Sequence, residues 1–112
     1  MILVRKPNRY LLCTVDPGTR ETGYLYVNVI GNRLILPPVE CGVKYNSAFA
    51  ARLLSTRPAL VVCEKFEGGR FFGKSSIETV MFIGELKALC RVEGIKFALL
   101  SRRYVRKAVT GK

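Results

Sequence analysis

Histidine is absent from this chain, and aspartate occurs once, at position 16. Cys13, Cys41, Cys63 and Cys90 form no CxxC pair, so with no imidazole to complete a ligand set the usual zinc sites are excluded. Long apolar runs are also missing, and none approaches the roughly 20 residues that span a bilayer. Residues 1–6, Met-Ile-Leu-Val-Arg-Lys, put charge after a very short apolar start, which is not the order of a signal peptide. Cys13 and Cys63 sit in apolar strand-like runs and Cys90 in a helical one. They read as buried, reduced thiols of an intracellular, cytoplasmic protein with no membrane partner.

Acid is scarce where base is plentiful. Eight Asp and Glu oppose 19 Lys and Arg, a net charge of +11, and the cations are spread through folded-looking sequence rather than massed in a tail. A polyanionic partner follows, and nucleic acid is the first choice. The 112 residues suit one domain, large enough to bury roughly two-thirds of its unfolded surface.

What the chain does have is organised around residues 11–23. The β-prone run Leu11-Leu12-Cys13-Thr14-Val15 ends in Asp16, Pro17-Gly18 turns the chain, and Tyr24 to Ile30 resumes it. Residues 9–15 read as a first strand and 23–30 as a second. Gly31-Asn32 then returns residues 33–43 as a third, which Pro37-Pro38 confines to a bend or an edge. Asn46 or Ser47 caps a short helix over 48–54, stopped by Pro58. Residues 59–63 form a continuous apolar strand of the buried parallel kind, ending in Glu64. A basic, glycine-rich loop (66–76) leads into a long helix from about 75 to 93, ended by Gly94. Residues 95–100 make a fifth strand, and Ser101 begins a last basic helix. The order β-β-β-α-β-α-β-α predicts an α/β fold: a mixed five-stranded sheet, an antiparallel three-strand meander plus parallel strands, flanked by helices.

Asp16 and Glu64 each end an apolar strand and precede turn-like sequence. If those strands are parallel neighbours, the two carboxylates meet, and their repulsion is relieved by a divalent cation between them. Oxygen-only ligands suit magnesium, and a basic protein holding such a site points to phosphodiester hydrolysis. Turn or edge residues are the plainer alternative.

Asp16-Pro17-Gly18-Thr19 with Thr22-Gly23, then Glu64-Lys65-Phe66, Phe72-Gly73-Lys74-Ser75 and Val105-Arg106-Lys107-Ala108-Val109-Thr110-Gly111 resemble, in order, the motifs of the RuvC Holliday-junction resolvases. The resemblance covers about residue 10 to the end. It implies an RNase H-like fold, a homodimer, and cutting of four-way DNA junctions with Mg2+ or Mn2+, with no small-molecule cofactor besides the metal. Asp16 and Glu64 match the first two metal-binding, catalytic carboxylates, and residues 66–74 match the stretch that reaches into the junction. The family's remaining acidic ligands lie on a helix beyond the Val-Thr-Gly motif, whereas no acid follows Glu93 here. The expectation is therefore a basic leader (1–8) and an RNase H-like nuclease domain (9–112) lacking its C-terminal part.

Arg70, Phe71, Phe72, Lys74 and Ser75 place aromatics among cations, where rings stack on or wedge between bases and the cations meet phosphates. Arg102, Arg103, Arg106 and Lys107 begin the last helix, whose free N–H groups also attract phosphate. In the long helix, Ile77, Met81, Gly84, Ala88 and Val92 lie on one arc, and Phe82, Ile83, Leu86, Leu89 and Cys90 lie roughly opposite. One arc covers the sheet and the other needs a partner, so a homodimer is expected, with Ile77, Met81, Phe82, Leu86 and Leu89 as candidate interface residues. A non-catalytic, branched-nucleic-acid-binding dimer is the alternative to the nuclease. The carboxylate pair counts against a third reading, a structural RNA-binding protein.

Overall fold

The computed structural model describes residues 9–64 and 74–101. The elements run β1 (Arg9–Pro17), β2 (Glu21–Ile30), β3 (Arg33–Tyr45), α1 (Asn46–Thr56), β4 (Leu60–Glu64), α2 (Lys74–Glu93) and β5 (Lys96–Leu100). They form one five-stranded sheet in the order β3-β2-β1-β4-β5. The β1–β2 and β2–β3 pairs are antiparallel. The β1–β4 and β4–β5 pairs are parallel, which gives the expected mixed sheet. The basic leader and the final helix of the sequence reading lie outside the described residues.

One sheet face carries the core. Cys13 and Val15 stand opposite Tyr26 and Tyr24 on β2, and opposite Val61 and Cys63 on β4. Phe49 and Leu53 of α1 and Phe82, Ile83, Leu86 and Cys90 of α2 close over them. Period-2 apolar positions on the strands thus meet i, i+4 positions on the helices, each large buried side chain contributing about 1.5–3 kcal/mol. The opposite face is set by Leu12 and Thr14, which pair with Val27 and Leu25 on one side and Leu60 and Val62 on the other.

Three local features bear on the sequence reading. First, β3 lies at the sheet edge as Pro37-Pro38 predicts, and it stays one strand because the β2–β3 register passes from Tyr26↔Glu40 to Asn28↔Ile35. Residues 36–39 bulge opposite Val27 alone, on the edge strand where missing N–H donors cost least. Second, neither Asn46 nor Ser47 caps α1. Tyr45 holds the N-cap position with no side-chain cap bond, and the Asn46 side chain is directed elsewhere. Third, Gly18 is not in a left-handed conformation. A Cβ there would come within 2.6 Å of the Glu21 carbonyl oxygen, so glycine is required by close approach of the backbone.

The helix ends are well joined. Arg57, in the left-handed region at φ 47°, donates its N–H to Leu53 O. Its guanidinium donates to Glu93 Oε2 at 2.8 Å and to the Glu93 carbonyl at 3.0 Å. Gly94, at φ 72°, ends α2, and Ile95 N–H reaches back to Cys90 O at 2.8 Å. No helix among the described residues is long and apolar enough to cross a membrane.

Candidate active site

Asp16 stands at the end of β1, one step beyond the last parallel rung, Val15↔Cys63, and the next residue of β4 is Glu64. The two carboxylates are therefore lateral neighbours on adjacent strands, about 4.8 Å apart at the backbone, with side chains on the same face. That face is the one opposite the helices, because Asp16 shares the parity of Leu12 and Thr14. An open cleft of about 220 Å³ lies there, and Thr14, Asp16, Gly23, Leu25 and Glu64 contribute to its walls. Gly23 faces Asp16 across the β1–β2 pair and adds no side chain of its own beside the carboxylate.

Asp16 is exposed and Glu64 half-buried, so neither carries the full desolvation cost of an interior charge. Their fields still converge below the cleft. The Cys63 thiol is pushed up to about 12, first by burial, then by the charges of Glu64 and Asp16. Two adjacent oxygen donors at an open sheet end fit a hard divalent cation such as Mg2+. Among the described residues no group of three or more His, Cys, Asp or Glu stands together.

The turn that carries Asp16 is held by a polar cluster. Asn46 Nδ2 donates to the carbonyls of Gly18 and Thr19, both at 3.1 Å. The Thr22 hydroxyl, fully buried, donates to Asn46 Oδ1 at 2.7 Å. Asn46 N–H donates to Arg20 O at 2.8 Å. Thr19 Oγ1 lies 3.2 Å from Thr79 Oγ1, tying the same turn to α2. The sequence reading passes over this role for Asn46, since an asparagine before an apolar helical run reads as a cap. The only hint is Thr22, a buried-type β-branched hydroxyl beside the turn.

Of the nucleic-acid residues expected from sequence, Arg70, Phe71, Phe72, Arg102, Arg103, Arg106 and Lys107 lie outside the described residues. Lys74 and Ser75 form the start of α2, one residue earlier than expected.

The expected dimer interface is corrected in part. Phe82 and Leu86 belong to the domain's own core, Leu86 at 1% exposure, and Leu89 packs against it. Burial inside the monomer leaves Phe82 and Leu86 little surface for a partner, whereas Leu89 is half-buried. Ile77, Met81 and Val92 are on the outer arc as expected, joined by Val80, with Met81 61% and Val92 80% exposed. Beside them a groove of about 430 Å³ runs between α1 and α2, lined by Ser47, Ala50, Met81 and Phe82 among others.

A mixed five-stranded sheet in the order 3-2-1-4-5 with its helices packed on it is the fold of the RNase H-like class. Within that class the chain has the RuvC-like fold. RuvC of Thermus thermophilus superposes with TM-score 0.71 at 19% identity, over 90% of this chain and 69% of that one. The same organism's RuvC in complex with a Holliday junction substrate gives TM-score 0.69 at 14% identity, over 87% of this chain and 69% of that one. Fowlpox virus resolvase, solved with Holliday junction DNA, also matches, with TM-score 0.43 at 18% identity over 82% of this chain and 59% of that one. No protein-family model matches the chain, and no curated protein matches it in sequence.

Proposed function

We propose that this protein is a structure-selective endonuclease that resolves four-way DNA junctions by metal-dependent phosphodiester hydrolysis, in DNA recombination and repair. The observation that carries the reading is the placement of Asp16 and Glu64 side by side at the end of β1 and β4 in a RuvC-like fold. The net charge of +11 supports a phosphate backbone as partner. Asp16 and Glu64 would hold Mg2+ or Mn2+ together with further oxygen ligands. When bound, the metal supplies an activated water and charge stabilisation at the leaving oxygen. The chain's own carboxylates fix where that charge sits, and the open cleft leaves room for a phosphodiester.

The exposed arc Ile77, Val80, Met81 and Val92 supports a homodimer through α2, the groove beside Met81 receiving side chains of the second copy. Two subunits would then present two sites to a two-fold symmetric junction. The three buried thiols, Cys13, Cys63 and Cys90, fit a reducing, intracellular setting.

A second reading is a non-catalytic binder of branched nucleic acid. What favours it is the donor set itself, two carboxylates where in-line hydrolysis draws on a fuller shell. Labelled four-way junction, incubated with Mg2+, separates the two. Residues 1–112 bind the junction and cut it negligibly, whereas a longer chain supplying acidic residues on a following helix cuts it. Asp16→Asn or Glu64→Gln abolishes that cutting and spares binding. Failure of every longer form to cut would leave only the binder.

A further inference from the structure

The Asn46 side chain is placed where its own helix gains nothing from it. Asparagine at a helix start ordinarily accepts from an N–H of the first turn. In α1 the N-cap is Tyr45, no side chain caps the helix, and the first turn carries no acid. Asn46 instead spends both amide hydrogens on the carbonyls of Gly18 and Thr19, and its amide oxygen on the Thr22 hydroxyl. Its backbone N–H takes Arg20 O.

Those partners lie on both limbs of the β1–β2 turn. Gly18 and Thr19 leave β1 directly after Asp16-Pro17, and Thr22 pairs with Pro17 one rung from Asp16↔Gly23. One planar amide, with its donors and acceptor in fixed directions, clamps the outgoing and returning chain together. The turn closes tightly at that point, since a side chain at Gly18 would meet the Glu21 carbonyl oxygen at 2.6 Å. The fully buried Thr22 hydroxyl makes the clamp costly to break, since it would lose its acceptor away from water.

We infer that Asn46 is a positioning residue for the Asp16 carboxylate, holding it in register with Glu64 so that the two can share one divalent cation. This rests on the metal-dependent reading above and adds a residue to it. Asn46 is not among the residues lining the cleft beside Asp16 and Glu64. It acts through the turn, as outer residues that orient metal-binding side chains do, and loss of such a partner weakens metal binding by about 10–100-fold.

The test is Mn2+ binding to the full chain, followed by electron paramagnetic resonance, beside thermal melts and junction binding in EDTA. Asn46→Ser keeps a residue suited to a helix start and removes both amide donors. Asn46→Asp keeps the shape and turns an acceptor toward two carbonyls. In both, Mn2+ affinity should fall by roughly tenfold or more, with junction binding in EDTA changed less than about twofold because no phosphate contact is removed. Thr22→Ser, which keeps the hydroxyl, should bind Mn2+ like wild type. A merely structural role would lower the melting temperature and leave Mn2+ affinity of the folded variants unchanged, and that result overturns the inference. If Asn46→Ser does not fold, the near-isosteric Thr22→Val carries the same comparison. If wild type and Asp16→Asn bind Mn2+ equally, the metal reading itself fails, an outcome distinct from an Asp16-dependent site indifferent to Asn46.

Discussion

The Tyr24 hydroxyl donates to Glu40 Oε2 at 2.9 Å, a diagonal contact two residues from its register partner Gly42 on β3. Glu40 also receives the Arg52 guanidinium from α1, so one carboxylate joins the core tyrosine, the edge strand and the helix. The Arg52 hydrogen bond, then that of Tyr24, holds the Glu40 carboxyl below its ordinary range. Because the folded value is depressed, this contribution is present above the unfolded carboxylate range and is lost as pH falls through the lower folded value. Thermal melts from neutral pH downward should show wild type losing its advantage over Glu40→Gln in the acidic range. A constant difference at all pH values would remove the ionic contribution.

On α2, neighbouring residues should respond in opposite ways. Leu86→Ala empties a fully buried site and should cost about 2–5 kcal/mol in denaturant melts. Phe82→Glu should prevent folding, since it buries an unpaired charge. Met81→Glu, on the outer arc, should leave the melt nearly unchanged and shift sedimentation from dimer to monomer at tens of micromolar, roughly the range where moderate homodimers form.

Junction affinity should fall steeply with salt. If about six phosphates are neutralised, the log–log slope is near −5. Fluorescence anisotropy in EDTA across a salt series measures it directly. A slope near −1 would contradict a basic face that tracks the phosphate backbone.

Thiol titration should find one fast cysteine and three slow ones. Cys41 is exposed on β3, whereas Cys13, Cys63 and Cys90 are buried. Burial pushes the Cys13 and Cys63 thiols up to about 12, so little thiolate exists at neutral pH. An aromatic disulfide reagent followed by absorbance should react once quickly, with the remainder appearing only on denaturation.

The sheet was legible because each strand is bounded by residues that stop it: Asp16-Pro17-Gly18, Gly31-Asn32, Pro58 and Gly94. The carboxylate pair was legible for a related reason, each acid terminating an apolar run. That the two lie side by side just past the last β1–β4 rung was not, since parallel register is set by how α1 and α2 seat on the sheet, which no local pattern records. Both arcs of α2 are apolar, so periodicity alone could not assign Phe82 and Leu86 inward and Met81 outward. Asn46 was misread because its partners, Gly18, Thr19 and Thr22, are more than 20 residues away in the chain. Gly18 carried the right residue for a reason, close approach, that a turn signal does not distinguish from left-handed geometry.

Among the described residues no strand pairs with the outer border of β3, 13 residues long, where Leu34, Ile35, Leu36, Val39 and Val43 are exposed. Such a border invites a stray strand to zip onto it. Pro37 and Pro38 lie in its middle, within the bulge, and offer no N–H to an incoming chain. A foreign strand can engage only a short stretch on either side before it meets a gap. Growth of the sheet at this border is thereby hindered, and neighbouring copies at high local concentration need not zip into an aggregate.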